Sequence, residues 1–230
     1  MAVVRKIPCL VRAVTDHGER VYTVELEPSI PVPPFKPGQF LHLAIDPYDG
    51  VGFWPESRVF SIASSPRERD RLQITYAVKG AFTTRMEREL VPGRSVWAKL
   101  PYGEFMIDPH RDAVLYAGGT GVTAFTAFLQ SLTPENAPRV ILFYGARTPD
   151  LFVYGPLVEA CAKAVPSLTC HLVCEETDGR LDANTTAPAV ASLDDPAYYL
   201  SGPPAMLAAL TTQLLARGVP LRSIYTDAWE

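Results

Sequence analysis

The hydrophobic pattern of this chain changes near residue 106, and that change limits the folds open to it. Up to about residue 105, apolar runs such as "PGQFLHLAI" and "RLQITYAV" are separated by Pro and Gly clusters, which is typical of a small antiparallel barrel or sandwich. After "FMIDPHRD" the runs are apolar throughout and alternate with helical segments, which indicates a parallel sheet covered on both faces. We therefore predict two domains, residues 1–107 and 108–230.

Several elements of the two halves have recognisable ends. Two runs of β-forming residues flank a turn at residues 16–18, which predicts a hairpin. "FTTRMEREL" predicts a helix that starts at the hydroxyls of Thr83 and Thr84, with Glu87 in capping-box register to Thr84. In the second half, strands are predicted at "AVLYAGG", "RVILFYGA", "LTCHLVCEE", "AYYLSGPP" and "SIYTDAWE", and helices at "TAFTAFLQSL", "PLVEACAKAV" and "AMLAALTTQLLARG".

Charge and composition exclude several function classes. The net charge is -4 and basic residues form no long run, which argues against a nucleic-acid partner. Charges interrupt every apolar stretch of "MAVVRKIPCLVRAV", so that segment is predicted to be neither a signal peptide nor a membrane span. We therefore expect a cytoplasmic protein.

The cysteines do not have the spacing of a metal site. Cys9, Cys161, Cys170 and Cys174 lack both the paired spacing of zinc sites and the plant-type iron–sulfur spacing. We expect no bound metal. Cys170 and Cys174 fall on the same side of a predicted strand and are expected to be buried thiols.

A glycine-rich loop follows the first strand of the second half. In "YAGGTGVTAFTAFL", Gly119, Gly121 and Ala124 match the pattern G-x-G-x-x-A, in which glycines let the backbone approach a pyrophosphate closely. Alternatively, the glycines only supply positive φ angles for a tight turn. The acidic residue expected about 20 residues later is missing, and the end of the second strand carries Arg147 and Asp150 instead.

A second loop of similar form occurs in "YLSGPPAML". Ligands bind outside the carboxyl ends of parallel strands, so Ser201, Gly202 and Pro203 are expected to lie beside a ligand held by the glycine loop. The alternative is an ordinary strand-to-helix turn.

These segments together resemble the ferredoxin-NADP reductase superfamily. Seven blocks follow one another in the order seen in that family: "RVFS" at 58–61, "KGAFTTRM" at 79–86, "PYGEF" at 101–105, "GGTG" at 118–121, "YGARTPDL" at 144–151, "GRLD" at 179–182 and "SGPPAML" at 201–207. The resemblance covers nearly the whole chain. It implies an N-terminal antiparallel β-barrel that binds flavin, followed by an α/β domain that binds a nicotinamide nucleotide.

The resemblance also assigns roles to the segment "SRVFSIASSP". Arg58 would pair with the flavin phosphate, Phe60 would pack against the isoalloxazine ring, and Ser61 would donate a hydrogen bond near flavin N5. The neighbours that would line the cofactor are Val59, Ile62, Ala63 and Ser64. A surface strand with a solvated arginine is the alternative.

"KGAFTT" resembles the family's second phosphate-binding segment. Gly80, Ala81, Phe82 and Thr83 would stand at the start of a helix that faces an anion. A second phosphate-binding segment favours FAD over FMN as the cofactor.

In the second half, the resemblance implies a site for NADH or NADPH. Gly119, Thr120 and Gly121 would hold the pyrophosphate, and Arg147 would reach the adenosine end. Ser201 stands where most relatives have a cysteine beside the nicotinamide. Together with Ser61, which would lie near flavin N5, it is a candidate catalytic residue. Two further cofactor contacts are expected at Gly202 and Pro203.

The last aromatic residue and the nucleotide preference leave alternatives open. Trp229 falls where relatives often place an aromatic ring near the flavin, or it belongs to the packed core. Arg147 is suited to a 2′-phosphate, but Glu175 and Glu176 follow the next strand and would repel that phosphate. This favours NADH over NADPH, unless the two glutamates face away from the site.

The implied activity is hydride transfer from the nicotinamide to the flavin, followed by electron transfer to a separate acceptor. The acceptor would be a ferredoxin, a flavodoxin, an oxygenase component or a small molecule, because the chain has no "CxxxxCxxC" segment for an iron–sulfur cluster of its own. Two other functions remain open: a flavin reductase that releases reduced flavin, and a non-catalytic flavin-binding subunit.

Overall fold

The computed structural model describes residues 3–135 and 137–227. The chain divides into two compact units between Met106 and Ile107. Trp229 lies outside the described residues. No helix in the described part of the chain is both long enough and apolar enough to cross a bilayer.

The N-terminal unit is an antiparallel β-barrel of six strands. Their bounds are β1 Arg5–Asp16, β2 Val21–Pro28, β3 Phe40–Ala44, β4 Ser57–Ser61, β5 Leu72–Ala77 and β6 Ser95–Tyr102, and they are ordered β4-β3-β6-β1-β2-β5. The two edge strands approach each other where the N–H of Ala63 donates to the carbonyl of Gln73 at 2.9 Å. Alternate residues of the strands fill the interior, including Val24, Leu26, Leu41, Leu43 and Ile74, each fully buried.

The predicted hairpin between β1 and β2 is confirmed. Gly18 has φ +81°, a conformation that favours glycine, and its N–H donates to the Asp16 carboxylate at 2.8 Å. Strand β6 was not predicted. Its segment "SVWAKLPY" mixes lysine and proline with apolar residues, yet it lies between β3 and β1 in the sheet.

One helix, α1 (Ala81–Glu89), interrupts the barrel strands. The predicted capping box at Thr84 was wrong, because the N-cap is Gly80 and the hydroxyl of Thr83 accepts hydrogen bonds from the N–H of Gly80 at 3.1 Å and of Lys79 at 2.9 Å. Glu87 does not cap the helix. It pairs with Arg20 at 2.6 Å instead.

The C-terminal unit is a parallel sheet with helices between its strands. The strands are β7 Ala113–Gly118, β8 Val140–Ala146, β9 Leu168–Cys174, β10 Ala197–Ser201 and β11 Ile224–Asp227, ordered β11-β10-β7-β8-β9. The helices are α2 Thr123–Leu129, α3 Gly155–Ala164, α4 Glu175–Asp178, α5 Ala183–Val190 and α6 Pro204–Ala216. All four strand pairings are parallel, as the sequence predicted.

The central strand β7 positions the candidate site of this unit. All six of its residues are buried, which explains its unbroken apolar sequence. Strands β8 and β10 lie on its two sides. The chain therefore adds β8 and β9 on one side of β7 and β10 and β11 on the other, and ligands of such sheets bind at the point where this order switches. On the edge strand β9, Cys174 is buried but Cys170 is only half-buried, so the expectation of two buried thiols was half right.

Candidate functional site

In the N-terminal unit, side chains of the two edge strands meet beside the predicted flavin strand. The rings of Phe60 on β4 and Tyr76 on β5 have centroids 6.1 Å apart. Phe60 is half-buried, so part of its ring remains available to a ligand. Ser61 and Ala63 are buried, whereas Val59 is partly exposed. The strand "SRVFS" thus offers one half-exposed aromatic ring at the opening between β4 and β5.

Arg58 lies next to the start of helix α1. Its guanidinium carbon is 5.1 Å from the centroid of the Phe82 ring, and Phe82 is buried in the first turn of α1. The two phosphate-binding segments predicted from separate parts of the sequence are therefore brought together by a cation–π contact. The Arg58 guanidinium also donates to the Ser57 carbonyl at 2.9 Å and pairs with Glu56 at 3.0 Å.

Gly80 leaves open space at the N-terminus of α1. Its φ of -149° is extended backbone that any residue adopts, and a Cβ at this position would meet nothing within 4 Å. Neither conformation nor packing within this unit requires glycine here. The missing side chain instead leaves the backbone of Gly80 and Ala81 accessible, which suits the close approach of an anion.

Tyr76 is a site residue that the sequence analysis missed. In the described part of the chain its hydroxyl oxygen is buried and has no hydrogen-bond partner, although its ring stacks on Tyr22 at 5.6 Å. Burial raises the pKa of Tyr76, so the hydroxyl is a donor at neutral pH. A buried donor without a partner is costly. The strand pattern of β5 indicates only that Tyr76 faces inward, and packing alone reveals the unpaired hydroxyl.

In the C-terminal unit, the glycine loop runs from the end of β7 into a 3-10 turn, Gly119–Val122. Gly119 has φ +53°, a conformation that favours glycine. Gly121 is required for another reason, because a Cβ would lie 2.5 Å from the carbonyl carbon of Ser201 and 2.7 Å from the nitrogen of Gly202. Thr120, between the two glycines, is partly exposed.

The loop after β10 packs directly on the glycine loop. A Cβ on Gly202 would lie 3.1 Å from Cα of Gly118, and a Cβ on Gly118 would lie 3.0 Å from Cδ of Pro203. The structure thus brings both predicted loops together at the carboxyl end of the sheet. The structural alternative, in which glycine supplies a positive φ, is supported at Gly119, whereas Gly118 and Gly121 are needed for the contact between the loops.

Ser201 has a buried partner that the sequence analysis missed. Its hydroxyl donates to the carboxylate of Asp227 at 3.0 Å, and both residues are buried. Strands β10 and β11 pair in parallel with Ser201 opposite Asp227, so the sheet register brings the two together. The sequence held a partial signal, because Asp227 ends a predicted strand and a carboxylate that becomes buried needs a polar partner.

Arg147 lies next to the acidic segment that follows β9. The N–H of Glu176 donates to the Arg147 carbonyl at 3.3 Å, and the Cys174 thiol contacts the same oxygen at 3.5 Å. Both Arg147 and Glu176 are exposed. Glu175 pairs with Arg180 at 2.7 Å. Arg147 and the segment Glu175–Glu176, on which the predicted nucleotide preference depends, are therefore neighbours in the backbone.

Comparison with known proteins identifies the C-terminal unit first. A family model described as "Oxidoreductase NAD-binding domain" matches residues 115–212. Over 84% of its length the chain is 27% identical to the anthranilate 1,2-dioxygenase electron transfer component of Acinetobacter baylyi, covering 57% of that protein. Over 95% of its length it is 27% identical to the reductase component of propane 2-monooxygenase of Mycolicibacterium smegmatis, covering 66% of that protein. The chain thus spans less than two thirds of these relatives.

Solved structures extend the likeness to the whole chain. The ferredoxin reductase in carbazole 1,9a-dioxygenase has a TM-score of 0.79 and 25% identity, with 99% of this chain and 70% of that chain covered. A cytochrome P450 reductase of Amycolatopsis has a TM-score of 0.84 over 99% of this chain and 70% of its own, and its 22% identity supports the fold alone. With its barrel, its parallel sheet and the nucleotide-binding segment matched at residues 115–212, the chain resembles ferredoxin reductases in fold and the reductase components of oxygenase systems in sequence.

Proposed function

We propose that the protein is an FAD-dependent oxidoreductase that takes electrons from a nicotinamide nucleotide and passes them to a separate acceptor. The observation that carries this proposal is the contact between Arg58 and Phe82 at 5.1 Å. Because Arg58 on β4 lies beside the start of α1, the contact supports the proposal that the two predicted phosphate-binding segments act as one anion site. A site for two phosphates fits FAD better than FMN.

Two further observations in the N-terminal unit fit a flavin. The open space at Gly80 permits a phosphate to approach the backbone at the start of α1. The half-exposed ring of Phe60, which packs beside Tyr76, offers an aromatic surface for the flavin ring. The open space at Gly80 and the half-exposed ring of Phe60 both suit a ligand that carries a phosphate and an aromatic ring.

The residues have distinct roles in this proposal. When bound, FAD supplies the atom that accepts hydride, and the protein binds and orients it. Arg58 and the segment Gly80–Thr83 hold the phosphates, Phe60 packs on the flavin ring, and Ser61 offers its hydroxyl. Further lining is proposed at Val59 and Ala63.

In the C-terminal unit, the glycine loop and the loop after β10 would bind the nucleotide. Gly119, Thr120 and Gly121 hold the pyrophosphate, and Gly202 and Pro203 lie next to them. The Ser201 hydroxyl donates a hydrogen bond to the carboxylate of Asp227, which fixes the orientation of that hydroxyl at the strand end. Ser61 and Ser201 are the proposed catalytic residues.

The proposed acceptor is a separate oxygenase component or a small redox protein. The relatives include an electron transfer component of a dioxygenase and a reductase component of a monooxygenase. We propose the cytoplasm as the location. A flavin reductase is the second candidate, favoured by the pairing of Arg58 with Glu56, which opposes tight retention of a phosphorylated flavin.

The visible absorption spectrum of the desalted protein tests the proposal. We expect a protein that carries FAD or binds it with micromolar affinity or tighter, and whose flavin absorption is bleached anaerobically by NADH. Reduction of free flavin in excess over the protein, without a retained chromophore, would select the flavin reductase. Bound flavin that neither NADH nor NADPH bleaches would mean a non-catalytic flavin-binding subunit and would refute the proposed activity.

We further propose that the protein prefers NADH. Glu175 and Glu176 follow β9 beside the backbone of Arg147, and their carboxylates repel a 2′-phosphate, Glu175 less strongly because it pairs with Arg180. We expect Glu175→Arg to shift the NADPH/NADH ratio of kcat/KM towards NADPH by about fivefold or more, because about 1 kcal/mol of repulsion becomes attraction in a partly solvated site. Steady-state kinetics with both nucleotides measure the ratio.

Glu159→Arg is the matched control for that substitution. Glu159 is exposed on α3. Its replacement by arginine changes the net charge by the same amount on a helix and not after a strand. Its nucleotide ratio should stay at the wild-type value. Equal shifts in both variants would assign the effect to net charge, and an unchanged ratio in Glu175→Arg would remove the basis for preferring NADH.

A further inference from the structure

Arg58 already holds an anion of the protein itself. Its guanidinium pairs with the carboxylate of Glu56 at 3.0 Å, and both side chains are 53% exposed. A phosphate and this carboxylate are alternative partners for the same guanidinium, because each presents negatively charged oxygens that accept hydrogen bonds from the guanidinium N–H groups. The residue proposed to bind the flavin phosphate is therefore not a vacant cation.

Glu56 has a second cation within reach. Its other carboxylate oxygen lies 4.0 Å from the guanidinium of Arg85 on α1. Arg85 is itself held in place by Asp46 at 2.6 Å and by Glu89 at 3.1 Å. A carboxylate that leaves Arg58 thus has a positioned positive charge to move towards, within the same unit.

We infer that Glu56 competes with the flavin phosphate for Arg58, and that flavin binding transfers Glu56 from Arg58 towards Arg85. This inference rests on the proposed function and specifies how it is regulated at the phosphate site. Glu56 lowers the affinity for phosphorylated flavins and leaves the affinity for the flavin ring unchanged. It therefore shifts the balance between retention and exchange of FAD.

The size of the effect follows from the exposure of the pair. Exposed ion pairs contribute little because water screens them, so removal of the competing carboxylate should tighten binding by about two- to fivefold. The effect belongs only to ligands with a phosphate. FAD and FMN should show it, and riboflavin should not.

The test is the dissociation constant of each flavin for apoprotein, measured by quenching of flavin fluorescence at fixed ionic strength. We expect Glu56→Gln to tighten FAD and FMN and to leave riboflavin unchanged. Glu68→Gln is the control, because it removes the same charge from another exposed ion pair. Glu68 pairs with Arg71 at 2.9 Å, and both side chains are partly exposed. Its FAD affinity should match the wild type.

The Arg58→Ala background separates competition from simple repulsion. If Glu56 acts through Arg58, Glu56→Gln has no effect on FAD affinity once Arg58 is replaced. An equal gain in both backgrounds would mean general repulsion of the phosphate and would overturn the inference. Unchanged or weaker FAD binding by Glu56→Gln in the wild-type background would also overturn it, whereas a wild type that binds none of the flavins would refute the proposed function.

Discussion

Gly121→Ala should destabilise the C-terminal unit by about 2–4 kcal/mol, because the added Cβ has no space. It would lie 2.5 Å from the carbonyl carbon of Ser201 and 2.7 Å from the nitrogen of Gly202. Both are backbone atoms, so the clash cannot be relieved by rotating a side chain. The free energy of unfolding in urea measures the effect, and binding of NADH should weaken in parallel.

Gly119→Ala is the matched control in the same loop. A Cβ on Gly119 would meet nothing within 4 Å, but its φ is +53°. Alanine there pays only for the left-handed conformation, about 1 kcal/mol. A larger loss in Gly119→Ala than in Gly121→Ala would contradict the packing role assigned to Gly121.

Arg58→Ala should weaken FAD binding by about 10- to 100-fold, the range expected when a charge-assisted hydrogen bond to phosphate is lost. Because Arg58 also contacts the Phe82 ring at 5.1 Å, the substitution removes a support of the α1 N-terminus as well. Flavin content after gel filtration and the FAD dissociation constant of the apoprotein measure the loss.

Arg71→Ala supplies the comparison for Arg58→Ala. Arg71 pairs with Glu68 at 2.9 Å, is partly exposed, and belongs to the same unit. Its FAD affinity should stay within about twofold of the wild type, because an exposed charge that is already paired with a carboxylate is screened. Equal losses in the two variants, or an equal loss of riboflavin and FAD binding in Arg58→Ala, would contradict a phosphate role for Arg58.

The fold was largely predictable because each half has one clear hydrophobic period. The unbroken apolar run of β7 identified a central parallel strand, and the turn at Gly18 identified the first hairpin. Strand β6 was missed because Pro101 interrupts its alternation. The helix α5 was missed because Pro188 lies inside it, where proline normally argues against a helix.

The site was predictable where a local motif carries the chemistry and not where tertiary contacts do. The glycine loop is local, so Gly119 and Gly121 could be identified from spacing alone. The pair Ser201 and Asp227 depends on the register between β10 and β11, which no local pattern encodes. Thr83 was correctly placed in the first turn of α1, but the cap was predicted at the wrong residue. The Thr83 hydroxyl accepts hydrogen bonds from the preceding backbone N–H groups of Lys79 and Gly80.

The contact between Gly121 and the Ser201–Gly202 backbone also restricts how this domain can be recombined with relatives. The atoms nearest to a Cβ at Gly121 are backbone atoms of Ser201 and Gly202, so a shift of one loop at this point moves the backbone of the other. A chimera that exchanges only the glycine loop would join surfaces that were fitted to different partners. Exchange of the glycine loop together with the loop after β10 preserves the fit, so the two loops should be exchanged together and not one at a time.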